Sequence, residues 1–473
     1  MAATATRKIA YNTVVQVVGK VVITLIAGIS VIVLTRYLGA EDYGKFNLAL
    51  AYLSLFGIFA DVGLFTIVVR EISKTPERTE ELIGNVLTLR LVLSVAVILA
   101  AFGVSQFLPY APDVRIAILI AGVAIFFGLL NSSLITVFQA RLRMDYAVIA
   151  DTVGRSAAFA AVLVVAGLNL GFYAIVATAA VGSFITLLVT YYFARKLVRI
   201  RLLTDLAVSK EMLLASLPLG AALALNQIYF KADLFLLSLF RSYQDVGLYA
   251  LVVKILEILL AFVGFFYNSI FPLLSKYIAD KDDRVRTTLQ TSFDFLAMTA
   301  VPVAVGGWFV APQLISLAGG AEFLAATQPL QALLIAAAFA FVSGLFGFAL
   351  VAKSRVKALL WLNVVALIVN VGLNVIFIPQ YGIMAAAVIT ALSELGVLLG
   401  AYYLTRRYFG FFPHFQLLPK VFVAATVMGG AMFVTGFLPL FALAPFGALV
   451  YAGTLYLIGG IDKATLSKLR IGG

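Results

Sequence analysis

Apolar stretches long enough to cross a lipid bilayer recur along this whole chain, and they constrain its fold more than any other feature. A helix needs about 20 residues to cross the hydrocarbon layer. The stretches that reach this length are 10–38, 44–69, 82–109, 115–139, 146–167, 170–194, 212–240, 245–275, 288–311, 326–352, 357–378, 382–404, 417–437 and 441–461. The sequence therefore predicts an all-α integral membrane protein with about fourteen transmembrane helices.

The composition excludes a water-soluble fold and several kinds of chemistry. Of the 473 residues, 63% are hydrophobic and 12% are charged, and the mean hydropathy is +1.08. Soluble domains are about half apolar and a quarter charged. The chain has no cysteine and one histidine, His414, which lies in a polar connection. Disulfides and thiolate catalysis are thus excluded, and we expect no metal, no other cofactor and no catalytic residue.

The basic residues are distributed unequally between the two sides of the predicted helices. If the first residue lies inside, the inner connections contain 25 lysines and arginines, and the outer connections contain only Arg36, Lys45, Arg115 and Arg241. This alternation follows the positive-inside rule. It also accounts for much of the net charge of +12 without a nucleic-acid partner. The pattern predicts a multi-pass protein of the cell (inner, cytoplasmic) membrane with both termini in the cytoplasm.

An internal repeat predicts two lobes. LTRYLGAEDYGKFNLA, which begins at Leu34, aligns without gaps on LSLFRSYQDVGLYALV, which begins at Leu237. The alignment places Asp42 on Asp245 and Gly44 on Gly247. An even number of helices separates the copies, so both have the same orientation, as in transporters with parallel repeats. We predict an N-lobe of helices 1–6 (1–205) and a C-lobe of helices 7–12 (206–410), related by a pseudo-twofold axis along the membrane normal. Helices 13 and 14 and a cytoplasmic tail follow (411–473).

Two lobes around such an axis leave a central crevice that can open to either side of the membrane by rocking. This alternating-access geometry favours a transporter over a channel. The sequence contains no GxxxxGK[ST] motif, so no ATPase is built into the chain. We therefore expect the energy to come from an ion gradient, the membrane potential or consumption of the product outside.

Several segments, taken in order, resemble the polysaccharide-export (O-antigen/oligosaccharide) branch of the superfamily that also contains lipid II flippases and multidrug exporters. They are RYLGAEDYGKF (36–46), DVGLFTIVVREISK (61–74), FQARLRMDYAVI (138–149), DVGLYALVVKI (245–255), FPLLSKY (271–277) and IPQYGIMAAAVIT (378–390). The resemblance implies a fourteen-helix, two-lobed exporter that moves a polyprenyl-pyrophosphate-linked oligosaccharide outward. It implies membrane lipids as surroundings, a monomer, and a polysaccharide polymerase or export machinery as partners.

Three lysines at membrane depth are candidates for binding the pyrophosphate. Lys231 and Lys254 lie roughly 14 Å from the outer ends of their helices, and Lys20 lies near the middle of the first helix. The resemblance implies that helices one and seven line the central cavity, where desolvated cations would attract a multivalent anion. Four neighbouring polar residues are candidates for sugar binding: Gln16, Asn226, Gln227 and Tyr229. Alternatively, Lys254 pairs with Glu257, Lys231 pairs with Asp233, and Lys20 extends to the interface.

Other charged residues lie deep in the predicted helices and need partners, because an unpaired charge there is costly. Asp61, Arg90, Asp151 and Arg155 are about 7–13 Å from the inner ends of their helices. They are either a mutually neutralising ion-pair network or a gate that closes the inner side. Candidates for cation coupling are Glu257, Asp294 and Glu394.

Three other functions remain as alternatives. A multidrug/cation antiporter of the same fold would need an acidic cavity, whereas the first helix carries Lys20 and no acid. A lipid II flippase differs only in the sugar it moves. An enzyme acting on lipid-linked sugars would need catalytic residues on a sizeable outer loop. The outer connections are about 2–15 residues long and almost uncharged, with Glu322 the main exception, so we predict that the chain is not an enzyme.

Overall fold

The computed structural model describes the backbone of residues 2–460. It describes the side chains of that range except those of 2–14, Val17, Pro218, Ala222, Leu223, Asn226 and Phe230. Within residues 2–460 every regular element is a helix. The α-helices are α1 (Ala2–Asp61), α2 (Leu64–Lys74), α3 (Thr79–Ser105), α4 (Pro112–Ala140), α5 (Met144–Gly167), α6 (Phe172–Ala194), α7 (Leu206–Phe240), α8 (Tyr243–Ala279), α9 (Arg284–Gly319), α10 (Thr327–Ala352), α11 (Val356–Phe409), α12 (Leu418–Val434) and α13 (Leu440–Leu457). Two short 3₁₀ helices, Pro76–Arg78 and Ala321–Ala326, precede α3 and α10.

The helices match the predicted spans and confirm an all-α membrane fold. Ten helical stretches in the described residues are long and apolar enough to cross a membrane. Two of them, Val18–Lys74 and Val356–Phe409, contain 57 and 54 residues and are each long enough for two crossings. α7 and the shorter α12 cover two further predicted spans. The predicted number of fourteen is therefore confirmed as an approximate count.

The two longest helices are interrupted at single glycines rather than at loops. Gly39 in α1 has φ 70°, and Gly382 in α11 has φ 58°. A residue with a Cβ rarely adopts a positive φ, whereas glycine does so without strain. Gly39 lies in the predicted connection between the spans 10–38 and 44–69, and Gly382 is the first residue of the predicted span 382–404. One residue leaves the helical conformation at each break, so few backbone groups lose their helical hydrogen bonds, as the bilayer requires.

The chain forms two compact units, Met1–Gly247 (unit 1) and Leu248–Gly473 (unit 2). Leu64, Ile83, Val137 and Phe138 are among the buried residues at the core of unit 1. One core of unit 2 lies between α8, α9, α10 and α11 and includes Phe293, Phe341 and Phe346. A second core joins α12 and α13 to α9. The lobes predicted from the repeat, 1–205 and 206–410, stay a prediction.

Candidate functional site

A cavity of about 460 Å³ lies among the helices of unit 1. Residues of α1, α4, α6 and α7 and of the break between α1 and α2 line it. The polar lining residues are Ser54, Asp61, Ser183 and Gln227, and the glycines are Gly57, Gly63, Gly128 and Gly220. Its volume lies in the range of roughly 300–1,000 Å³ that is common for small-molecule sites. The cavity is thus large enough for part of a polar ligand.

A tight backbone contact forms one wall of this cavity. The backbone has positive φ at Val62 (42°) and Gly63 (77°), and these two residues separate α1 from α2. Gly220 of α7 packs directly on this break, because a Cβ at Gly220 would lie 2.4 Å from the carbonyl oxygen of Val62. Only glycine allows so close an approach. The contact fixes the position of Asp61 beside α7.

Asp61 and Arg90 form an ion pair at the wall of the cavity. Arg90 on α3 is fully buried, and its Nη2 donates to Asp61 Oδ1. Its Nη1 donates to the Leu129 carbonyl oxygen at 3.0 Å and to the hydroxyl oxygens of Ser132 and Ser133 on α4. The Asp61 side chain is 34% exposed and faces the cavity. Arg90 therefore neutralises the one carboxylate among the residues that line this cavity.

The other predicted pair lies on α5. Arg155 Nε donates to Asp151 Oδ1 at 3.0 Å, and about half of each side chain is exposed. Among the described contacts, none joins this pair to Asp61 and Arg90. The four residues are thus two separate ion pairs, and a role for either pair as a gate stays a prediction.

The predicted pyrophosphate-binding lysines differ in their surroundings. Lys20 on α1 is exposed, and Lys231 on α7 is half-buried. Neither lies among the residues lining the cavity of unit 1. Lys254, in unit 2, binds Glu257 with 2.7 Å between Nζ and Oε2, and about 40% of each side chain is exposed. The local ion pair considered for Lys254 is therefore present, and Glu257, a candidate for cation coupling, is its partner.

The candidates for sugar binding also lie in different places. Gln227 lines the cavity of unit 1 together with Asp61. Gln16 is exposed on α1, and Tyr229 is half-buried on α7. The side chain of Asn226 lies outside the described residues. The structure thus brings Gln227 to the cavity, and sugar binding by all four residues stays a prediction.

The two other candidates for cation coupling lie in unit 2. The carboxylate of Asp294 on α9 accepts a hydrogen bond of 2.9 Å from the Gln290 side chain. Gln290 also bonds to the backbone nitrogen and oxygen of His414. Glu394 is half-buried on α11. Within the described residues, no group of acidic or histidine side chains is arranged to hold a metal ion.

Sequence reasoning missed a contact between the two copies of the internal repeat. Gly44 and Gly247, which align in the repeat, lie against each other near the predicted outer side. A Cβ at Gly44 would lie 1.9 Å from the Tyr243 carbonyl oxygen, and a Cβ at Gly247 would lie 1.9 Å from the Ala40 carbonyl oxygen. The alignment contained the signal, because the predicted pseudo-twofold axis would bring equivalent residues together if it passed close to them.

A lysine and several hydroxyl groups surround this glycine contact. The Lys45 side chain is 11% exposed, and its Nζ lies 2.9 Å from Glu41, 3.0 Å from Asp42 and 2.8 Å from Asp113 at the start of α4. The hydroxyl oxygens of Tyr110 and Ser238 lie 3.0 Å apart, and the Tyr243 hydroxyl accepts a hydrogen bond from the Ala111 nitrogen. These bonds hold α1 to the start of α4, and they hold the connection before α4 to α7 and to the start of α8.

Comparison with known proteins gives matches to two family models and to a relative. The model described as polysaccharide biosynthesis protein matches residues 9–278, which is more than half of the chain. The MatE model matches residues 218–376. The relative is the probable low-salt glycan biosynthesis flippase Agl15 of Haloferax volcanii, which is 25% identical over 250 residues. The aligned region covers 51% of this chain and 53% of the relative, so the chain spans about half the length of that relative.

Solved structures with the same fold are membrane transporters. The lipid II flippase MurJ, in its inward closed conformation, has a TM-score of 0.78 and 14% identity, and the match covers 93% of this chain and 98% of that one. A multidrug resistance MATE family transporter, in an inward-facing conformation, has a TM-score of 0.65 and 15% identity. The match covers 81% of this chain and 94% of that one. At these identities the likeness shows the fold alone.

Proposed function

Because this chain belongs to the polysaccharide biosynthesis protein family, we propose that it is an alternating-access flippase for a lipid-linked glycan. Its substrate is a polyprenyl-pyrophosphate-linked oligosaccharide, which moves from the cytoplasmic to the outer leaflet for cell-surface polysaccharide biosynthesis. The observation that carries the proposal is the family match over residues 9–278 on a chain built of membrane helices. The relative named as a glycan biosynthesis flippase supports the same substrate class.

The cavity of unit 1 suits a glycan better than a cation. Hydroxyl and amide groups of Ser54, Ser183 and Gln227 can exchange hydrogen bonds with sugar hydroxyls. The carboxylate of Asp61 is engaged by Arg90, so the cavity lining has no uncompensated negative charge. A site for cationic drugs needs such a charge at membrane depth, where a desolvated ion must find a partner.

The pyrophosphate of the substrate requires cations elsewhere along its path. Lys20, Lys231 and Lys254 are the lysines that the sequence predicts at membrane depth, and in this proposal they contact the pyrophosphate during the transport cycle. A phosphate attracts a desolvated ammonium group more strongly than a solvated one. The Lys254–Glu257 pair then has to open, or to accept the phosphate as a third member, when the substrate passes.

A multidrug or cation antiporter is the second candidate, because the MatE model matches residues 218–376. In that case Asp61 would separate from Arg90 and bind the coupling ion or the drug. A lipid II flippase is a variant of the first proposal with another sugar, and the MurJ-like fold suits it equally. The substrate assay below distinguishes these functions.

The test is flipping of a labelled polyprenyl-pyrophosphate oligosaccharide in proteoliposomes. We expect transport by the wild-type chain and a loss of at least roughly tenfold in Lys20→Ala, Lys231→Ala and Lys254→Ala, equivalent to about 1.4 kcal/mol. The matched control is Lys357→Ala, which changes an exposed lysine at the start of α11 and should leave the rate unchanged.

Three results would lead to other conclusions. Transport that persists in all three lysine variants would support the flippase function but would reject these lysines as the pyrophosphate site. Transport of lipid II and of no other sugar lipid would show that lipid II is the substrate. Inactivity with every sugar lipid, together with proton- or sodium-coupled export of a cationic drug, would reject the flippase in favour of the antiporter.

A further inference from the structure

A second cavity, of about 400 Å³, lies within unit 2 and is almost wholly apolar. It is bounded by α9, α10, the second half of α11, α12 and the connection between α11 and α12. Phe293, Val342, Tyr402, Phe415 and Phe422 are among its lining residues. The cavity is distinct from the polar cavity of unit 1, and the proposed transport reaction does not use it.

An arginine lies one helical turn beyond the lining residues of α11. Arg406 follows Tyr402 by four residues, so both lie on the same face of the helix. The Arg406 guanidinium lies 5.8 Å from the centre of the Phe412 ring. That ring is 6.3 Å from the ring of Tyr402 and 5.7 Å from that of Phe415, which both line the cavity. Arg406 is thus at the edge of the apolar cavity.

A second arginine approaches the same edge from α9. Arg286 precedes the lining residue Phe293 by seven residues, or roughly 10 Å along the helix. Its Nη2 lies 3.6 Å from the position of a Cβ at Gly410, which ends α11. Between Arg286 and Phe293 on α9, Gln290 exchanges hydrogen bonds of 2.8 and 3.0 Å with the backbone of His414. The connection that contains Phe412 and Phe415 is therefore held against α9, with both arginines at the same end of the cavity.

Neither arginine is neutralised by a carboxylate within the part of the chain that the structure describes. Some other arginines near helix ends are neutralised, as Arg143 is by Asp145 and Arg284 is by Asp282. The acid beside the cavity, Asp294, accepts a hydrogen bond from Gln290. Two guanidinium groups without an anion, at the edge of an apolar cavity, suit a phosphate with an apolar tail, because arginine binds phosphate oxygens with paired hydrogen bonds.

The same end of unit 2 has the residues of a membrane interface. Lys353 lies 4.4 Å from the ring centre of Phe409, and Arg355 lies 4.6 Å from that of Tyr408. Basic and aromatic side chains of this kind are enriched where helices leave the hydrocarbon layer. The connections that carry them are those that the positive-inside rule assigns to the cytoplasm. The end of the cavity beside Arg286 and Arg406 is therefore the end nearest to the head groups on the basic side of the membrane.

We propose that unit 2 binds one anionic phospholipid of this leaflet, with an acyl chain in the apolar cavity and the phosphate on Arg286 and Arg406. An acyl chain gains little by moving from lipid into an apolar cavity, because lipid tails are equally apolar. Selection therefore depends on the phosphate and the charge of the head group, as in other basic pockets at the cytoplasmic side. The cavity volume is at the lower end of the range for small ligands, so it suits one acyl chain and not a long polyprenyl chain.

The test is native mass spectrometry of the full-length protein with phosphatidylglycerol or phosphatidylcholine added to the detergent. We expect one retained phosphatidylglycerol and a preference over phosphatidylcholine of roughly tenfold. The double variant Arg286→Gln/Arg406→Gln should lose this preference. Ala338→Phe, which fills the cavity, should reduce retention of both lipids. The control Arg199→Gln removes an exposed arginine of an inner connection in unit 1. It should change neither the preference for phosphatidylglycerol nor the retention of either lipid.

Thermal unfolding in detergent without added lipid shows whether each variant is folded, and Ala297→Phe replaces Ala338→Phe if the latter does not fold. Equal retention of the two lipids by the wild-type chain would overturn the proposal. An unchanged preference in the double arginine variant would also overturn it. Displacement of phosphatidylglycerol by an equimolar polyprenyl phosphate would assign the site to the lipid carrier instead.

Discussion

Replacing Gly247 by alanine is expected to lower the flipping rate by at least roughly tenfold while the chain remains folded. The Cβ would lie 1.9 Å from the carbonyl oxygen of Ala40. This neighbour is a backbone atom, so no side-chain rotation can relieve the clash. The same argument applies to Gly44→Ala, whose Cβ would meet the carbonyl oxygen of Tyr243. Either change should separate the two copies of the repeat at their point of contact.

The loss should affect the transport cycle more than folding. Close approach at small residues is a common way to pack helices in membranes. Here it occurs at Gly44, five residues after the break in α1, and at Gly247, near the start of α8. The ion pairs of Lys45 and the contact between Tyr110 and Ser238 remain to hold the neighbouring helices. If the carrier closes its outer side in each cycle, alanine at either position prevents that closure, and the chain stays in the state with the contact open.

Cysteine labelling can detect the open contact directly, because the chain contains no cysteine. Ala40→Cys places a unique thiol at a fully buried position beside Gly247. We expect a membrane-impermeant thiol reagent to label it faster when Gly247→Ala is also present. Gly103→Ala is the matched control, since a Cβ there has no atom within 4 Å. Unchanged flipping and labelling in Gly247→Ala would show that the contact does not open and close.

The membrane fold is readable from the sequence because the bilayer imposes a length and a polarity on every span. Each predicted span overlaps a helix; the break at Gly39 falls between two predicted spans, and the break at Gly382 falls on the first residue of one. The break at Val62 and Gly63 was not predicted. Apart from Asp61, the flanking residues are mostly apolar and belong to the single predicted span 44–69, so hydropathy carries no signal there. Only the packing of Gly220 on this break explains its position.

The candidate site is harder to predict from the sequence, because the depth of a residue along a helix does not determine which way its side chain points around the helix axis. Depth and charge placed Asp61 and Arg90 in one set, and the structure puts them in contact. The same estimate grouped them with Asp151 and Arg155, which form their own pair on α5. Ser132 and Ser133, which bond to Arg90, gave no signal because hydroxyl residues are common in membrane helices. The direction of each side chain depends on the packing of several helices at once.

Asp61→Asn is expected to destabilise the protein by about 3–5 kcal/mol, because it leaves the positive charge of Arg90 buried without a counter-ion. The Arg90 side chain is fully buried and cannot reach water. Its hydrogen bonds to Leu129, Ser132 and Ser133 remain, but they do not neutralise the charge. The midpoint of thermal unfolding in detergent measures the effect. Asp151→Asn is the matched control. It breaks a half-exposed ion pair, so its cost should be below about 1 kcal/mol.

The double variant Asp61→Asn/Arg90→Met separates the structural role of this pair from a role in transport. Removal of both charges eliminates the uncompensated cation, so thermal stability should recover most of what Asp61→Asn loses. If flipping recovers as well, the pair only neutralises a charge that packing has buried. If stability recovers and flipping does not, the pair has to break and form again during transport, as a gate does. A double variant as unstable as Asp61→Asn would show that Arg90 stabilises unit 1 mainly through α4, and that its charge is not the cause.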